Sequence, residues 1–329
     1  MSKTEQQSKT SAKFRTKSLV LFMVGALIVG YLAGYFTPIT QSTMQSFINQ
    51  YPYLDPARHF IAQEHYLATL QPLREEARRL AGEYGDGNVS IYIEYLNTGA
   101  NISINPDLYL WSASLPKLSI GMAVLKKIEA GELTLETDLQ FTQDDLNALS
   151  GSTENPIWNQ PVGTNFSVRE LLQQLLANSD NTAQAILVRN ISPNDMEKII
   201  SDLGLEKLFD DSGKLSAKEY SRFLRSLYTA SYLNREHSQM VLGWLDESTF
   251  NDFLAQSIPQ QLRFPHKYGE NFVQRVYADS GIVYVPNRPY LITVILRGDS
   301  AQDFQTDKTR ATIFMQKISK AAYDYLSQP

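Results

Sequence analysis

The chain has 329 residues, 43% hydrophobic and 20% charged, enough for one large domain or two small ones with a real core. Its formal net charge of -5, with no basic block beyond the first residues, argues against nucleic acid as the main partner. Cysteine is absent, which excludes a disulfide framework, a cysteine-based zinc cluster and a cysteine nucleophile, yet is ordinary for an extracytoplasmic protein.

Residues 1–17 form a polar tail with Lys3, Lys9, Lys13, Arg15 and Lys17 against the single acid Glu5. Residues 18–36 carry no charge. As a helix they would span roughly 28 Å at about 1.5 Å per residue, close to the hydrocarbon core of a bilayer. The positive flank is expected to stay in the cytoplasm, which places the rest of the chain outside. A cleavable signal peptide would have a shorter apolar core followed by small residues. This run ends instead in Tyr31, Tyr35 and Phe36, as an interfacial aromatic belt does, so a retained single-pass transmembrane anchor is expected. Residues 37–56, uncharged up to Asp55 and carrying Pro38, Pro52 and Pro56, read as a linker. That leaves 57–329 as the folded domain.

Within it, Ile61, Leu67, Leu70, Leu73 and Leu80 recur at helical spacing, which predicts an amphipathic helix over Phe60–Tyr84. Val89–Leu96 alternates as a strand, Asn97-Thr98-Gly99 is a turn, and Asn101–Ile104 is the expected hairpin partner. Trp111-Ser112-Ala113-Ser114-Leu115-Pro116-Lys117 leads into the apolar run Leu118–Leu125, read as a helix. From Gly131 to Asn165 the chain is turn-rich, with Gly151, Pro156, Pro161 and Gly163, and reads as an irregular lobe near the site. Ser167 and Glu170 make a capping box for a helix to Asn178. After Ser179-Asp180-Asn181, helix resumes over Thr182–Arg189. Pro193–Leu203, Ser216–Tyr228 and Arg235–Leu245 fit further helices. Gln274–Tyr277, Gly281–Val285 and Tyr290–Arg297 read as strands, and Asp303–Leu326 as a closing amphipathic helix. Strands at both ends with helices between them predict an α+β domain.

Ser114 alone among the serines has a lysine three residues on. If a helix starts at Leu115, Lys117 projects beside the Ser114 hydroxyl, where a partly desolvated amine would accept the hydroxyl proton and first-turn N–H groups would stabilise negative charge. Taken alone, an N-cap serine with a solvated lysine leaves the same trace. Ser179-Asp180-Asn181 alone is a helix cap, and Lys267-Tyr268-Gly269 alone a surface turn. The histidines read as solvated or packing residues, and Glu94 and Arg78-Arg79 as solvated-face charges.

Together and in order, Ser114-Leu115-Pro116-Lys117, Ser179-Asp180-Asn181 and Lys267-Tyr268-Gly269 resemble the S-x-x-K, S-D-N and K-T-G set of the penicillin-recognising serine hydrolases, within them the class A β-lactamase-like branch. The resemblance covers about Phe60 to the C-terminus. It implies an α+β, β-lactamase/transpeptidase-like fold: an antiparallel sheet flanked by helices plus an all-helical lobe, here preceded by the transmembrane helix. It implies Ser114 as nucleophile, Lys117 as its base, kept neutral by burial and nearby positive charge, and Ser179 as proton relay to the departing nitrogen. Asn181 would bind a substrate carbonyl and Lys267 a substrate carboxylate. The backbone N–H groups of Ser114 and Glu270 would form an oxyanion hole, with Gly269 letting a substrate lie flat on the strand. No metal and no cofactor are implied.

The chain departs from the pattern twice. Tyr268 stands where a small hydroxyl is usual, which alters the carboxylate pocket unless the ring turns away. Between Asn181 and His266 there is no E-x-x-L-N, the loop whose glutamate activates the deacylating water; Glu206, Asp210 and Asp211 are the carboxylates left between Leu203 and Ser216. Three functions stay open. The first is a membrane-anchored class A β-lactamase-type hydrolase that acylates with β-lactams and deacylates poorly unless Asp210 or Asp211 substitutes. The second is a D-alanyl-D-alanine peptidase or transpeptidase acting on cell-wall peptide. The third is a non-catalytic binding domain.

Overall fold

The computed structural model describes residues 70–149, 157, 159–205 and 213–328. The basic tail, the anchor, the linker, the start of the first expected helix, and Glu206, Asp210 and Asp211 lie outside the described residues. Among those described, no helix is long and apolar enough to cross a membrane.

Helix α1 (Gln71–Tyr84) leads into β1 (Val89–Tyr95) and β2 (Ala100–Ile104), the expected hairpin. After the two-residue strand β3 (Leu110–Trp111) comes α2 (Lys117–Glu129). The stretch read as irregular holds β4 (Asp138–Gln140), α3 (Gln143–Ala148) and β5 (Asn165–Ser167), with β4 and β5 paired antiparallel. Helices α4 (Val168–Ala177), α5 (Asn181–Arg189) and α6 (Pro193–Asp202) follow, the first closed by the expected Ser167–Glu170 capping box. Then come β6 (Lys214–Leu215), which pairs with β3, and α7 (Ala217–Tyr228) and α8 (Arg235–Asp246). Strands β7 (His266–Asn271), β8 (Val276–Val283) and β9 (Tyr290–Arg297) and helix α9 (Phe304–Leu326) complete the described chain.

The main sheet is five-stranded and antiparallel, in the order β2-β1-β9-β8-β7. Helices cover both faces. Leu291 and Ile295 of β9 join one core cluster with apolar residues of α2, α4 and α7. Ile292, Val294 and Leu296, pointing the other way, are equally buried on the side where α1 and α9 pack. This double covering explains two departures from expectation. All seven positions of β1 are buried, and Glu94, read as a solvated-face charge, is 0% exposed. Its carboxylate pairs with Arg225 of α7 and accepts from the Tyr92 hydroxyl at 2.8 Å. A buried carboxylate is tolerated only with such partners.

The second departure concerns β8, one continuous strand where two short ones were expected. The polar pair that interrupts its apolar pattern is buried and partnered: Asp279 shares a 2.8 Å hydrogen bond with His266 and accepts from the Leu254 N–H at 3.2 Å, and Ser280 bonds Thr293 at 2.6 Å. His266 is thereby a buried packing residue, stacked on Phe264.

Candidate active site

The turn that carries Ser114 is tighter than a helix start. Leu115 N–H donates to Ser112 O (3.1 Å), Lys117 N–H to Ser114 O (3.2 Å) and Leu118 N–H to Leu115 O (3.2 Å), and α2 proper begins at Lys117. Bonds between residues three apart eclipse side chains at that spacing, which keeps Ser114 and Lys117 on one side. The Tyr220 hydroxyl, from α7, donates to Leu115 O at 3.0 Å and fixes the turn from below. Ala113 sits at φ 50° and Ser179 at φ 56°. Left-handed backbone at residues other than glycine costs free energy, and two of the eight such residues among those described fall in this cleft.

Lys117 is 3% exposed. Its amine donates to the Ser179 carbonyl, to Asn181 Oδ1 at 2.5 Å and to Ser179 Oγ at 3.3 Å. No hydrogen bond joins it to the Ser114 hydroxyl among the described residues, so the Ser179–Asn181 turn, more than Ser114, holds it in place. Burial pulls the Lys117 pKa down to about 7, against the opposing charge of Asp180. The main cause is therefore desolvation. A neutral amine has two protons and one lone pair. With the protons on the two carbonyl oxygens, the lone pair is left for a hydroxyl.

Asp180, read from the sequence as part of a helix-capping turn, holds that turn together. It caps α5 through Ala183 N–H at 2.8 Å and accepts from Ile157 N–H at 3.4 Å, tying the 131–165 stretch to the site. Its carboxyl pKa is raised by burial.

Strand β7 is one of the sheet's two edge strands. The Pro265 carbonyl accepts from Ile282 N–H at 3.1 Å. In an antiparallel ladder bonded pairs recur at every second residue. Lys267 and Gly269 therefore bond to β8, and the N–H groups of Tyr268 and Glu270 point off the edge. Gly269 packs against the nucleophile's turn: a Cβ there would lie 2.7 Å from Ser114 N and 3.2 Å from Ser112 O. That contact brings the Ser114 backbone against the strand residue that precedes Glu270. The Glu270 carboxylate turns away to Lys308 at 2.8 Å.

Lys267 is 0% exposed. Its amine donates to the Tyr268 carbonyl at 2.9 Å, and burial, reinforced by the charge of Lys117, pushes its pKa well below the ordinary lysine value. Tyr268 projects to the opposite face of the strand and lies flat on Phe250, with ring centres 3.8 Å apart and planes 6° from parallel. Phe250 had no signal in the sequence, since its role depends on a partner eighteen residues away. The cleft thus brings together Ser114, Lys117, Ser179, Asn181, Lys267 and the backbone of Gly269 and Glu270. Among the described residues no group of His, Asp or Glu side chains is arranged to hold a metal ion.

The sequence model of a family described as the beta-lactamase enzyme family matches residues 72–326. Beta-lactamase 3 of Bacillus cereus is 23% identical over 252 residues, covering 70% of this chain and 75% of that protein. Beta-lactamase VEB-1 of Pseudomonas aeruginosa is 21% identical over 263 residues, covering 73% and 86%. Among solved structures, an acyl-enzyme complex of a PBP-A variant with penicillin G superposes with a TM-score of 0.69 at 18% identity, covering 78% of this chain and 96% of that one. At such identity the superposition establishes the fold.

Proposed function

The chain belongs to the beta-lactamase enzyme family, matched over residues 72–326, and from that premise we propose that it is a serine hydrolase that forms an acyl-enzyme on Ser114 with β-lactams or related amides and releases it slowly. The observation that carries this reading is the buried amine of Lys117, held by Ser179 and Asn181, on a residue whose backbone N–H closes the turn on Ser114 O, with its pKa pulled down by burial. The Ser114 Oγ attacks the carbonyl carbon and its proton passes to Lys117. The carbonyl oxygen, now negative, is received by the Ser114 and Glu270 N–H groups. Ser179, bonded to Lys117, returns the proton to the departing nitrogen, and Asn181 orients the acyl group.

Slow release follows from the missing E-x-x-L-N loop. Without an oriented base, water attack on the ester loses about 10²- to 10⁴-fold. Membrane attachment through residues 18–36, with the domain outside the cytoplasm, belongs to the same proposal and is supported by the uncharged stretch and its positive flank. Labelling with a fluorescent penicillin tests the reading. A covalent band that disappears in Ser114→Ala is expected, and a band that survives the substitution sinks it. Peptidase action on D-alanyl peptides is the second reading, favoured by the same missing loop. Release of D-alanine from a model peptide, without turnover of a chromogenic cephalosporin, would select it.

A further inference from the structure

Strand β7 has a second face, turned away from the cleft. His266, on the same side of the strand as Tyr268, lines a cavity of about 560 Å³, within the range of small-molecule sites, roughly 300–1,000 Å³. The rest of the lining comes from residues 246–264, between α8 and β7. The His266 ring is 4% exposed and stacked on Phe264, another lining residue. Its Nδ1 donates to Asp279 Oδ1, and the other Asp279 oxygen is taken by the Leu254 N–H. With the proton on Nδ1, Nε2 of the neutral ring is an acceptor. Nε2 has no partner among the described residues, and it is not one of the sealed, unpartnered atoms there. The cavity that the ring lines is therefore where this nitrogen meets solvent. Asp246 and Asp252 belong to the exposed part of the lining. Neither has an ion-pair partner among the described residues, and no lysine or arginine lines the cavity. A lone pair on a buried ring and two carboxylates on the solvent side suit a ligand that donates hydrogen bonds and carries positive charge.

We propose that this cavity is a binding site, separate from the Ser114 cleft, for an organic cation with N–H donors, a primary ammonium or a guanidinium on an aliphatic stem. The cationic group donates to His266 Nε2, Asp246 and Asp252 offset its charge, and the stem packs on Ile258, Leu262 and Phe264. An anion is disfavoured by the two carboxylates. A bare metal ion does not suit the cavity, because His266, Asp246 and Asp252 are not grouped to hold one. The site stands on these residues alone, whether or not Ser114 is acylated.

The experiment titrates 1,5-diaminopentane, and separately the uncharged 1,5-pentanediol of the same length, into the full chain in detergent micelles with carbon-13-labelled histidines. His266→Gln assigns the His266 signal. The diamine is expected to move that signal saturably, and the diol to bind on the order of tenfold more weakly. Asp246→Asn combined with Asp252→Asn, both on exposed side chains, should weaken the diamine by about three- to tenfold. Ser114→Ala should leave its affinity unchanged. N-acetyl-lysinamide in the same titration tells the two sources of such a cation apart: binding as tight as the diamine's assigns the site to a peptide side chain, and weaker binding assigns it to a free amine. A His266 signal that the diamine leaves in place overturns the proposal, as does a diol as potent as the diamine or a double variant that binds like the wild type. Loss of binding in Ser114→Ala also overturns it, by placing the cation in the cleft. If His266→Gln does not fold, the double aspartate variant and the diol decide.

Discussion

Lys117 sits on α2 with its amine wedged into the turn before α5, and its chemistry follows from where burial leaves its proton. A pKa of about 7 makes the amine half neutral near pH 7, and only the neutral form takes the Ser114 proton. The acylation rate should therefore rise with pH through about 7 and then level. Stopped-flow labelling across pH 5–9 checks the limb, and a flat profile would contradict Lys117 as base. Lys117→Met should lose about 10²- to 10⁴-fold in that rate. At this scale Ser114 and Lys117 were legible because a spacing of three is local. Tyr220, Phe250 and the bond from Asp180 to Ile157 were not, because each acts through a partner distant in sequence.

Two elements close on each other at Gly269, where β7 meets the turn before α2. Gly269→Ala would drive a Cβ to 2.7 Å from Ser114 N, so the edge strand and the turn must part. We expect a loss of about 1–3 kcal/mol in stability and a larger proportional loss of acylation, measured by urea unfolding beside labelling rate; full acylation with normal stability would show that the two N–H groups need not be adjacent. Away from the cleft, Arg225→Ala strands Glu94 in the core. That should cost about 3 kcal/mol and leave the labelling rate of folded protein unchanged. The helix capped by Ser167 was readable because a capping box is a local signal, and the closing helix because its apolar residues recur at helical spacing. Strand β7 came only from the resemblance, and the unity of β8 was hidden because Asp279 and Ser280 look like surface residues until their partners are seen. Glu94 misled for the same reason.

At the scale of the molecule, a sheet covered on both faces offers its edge strand β7 to a cleft closed on the other side by α2 and the Ser179–Asn181 turn. The residues proposed for acylation gather there, and the sequence between Asn181 and His266 has no E-x-x-L-N. The central claim is a Ser114 ester that forms faster than it is released. Its most direct measurement is an intact mass spectrum of the protein mixed with excess benzylpenicillin, then followed after the free drug is removed. The account predicts a single-acyl adduct on the wild-type chain that persists over many minutes and is absent from Ser114→Ala. No adduct, or one that Ser114→Ala retains, would contradict it.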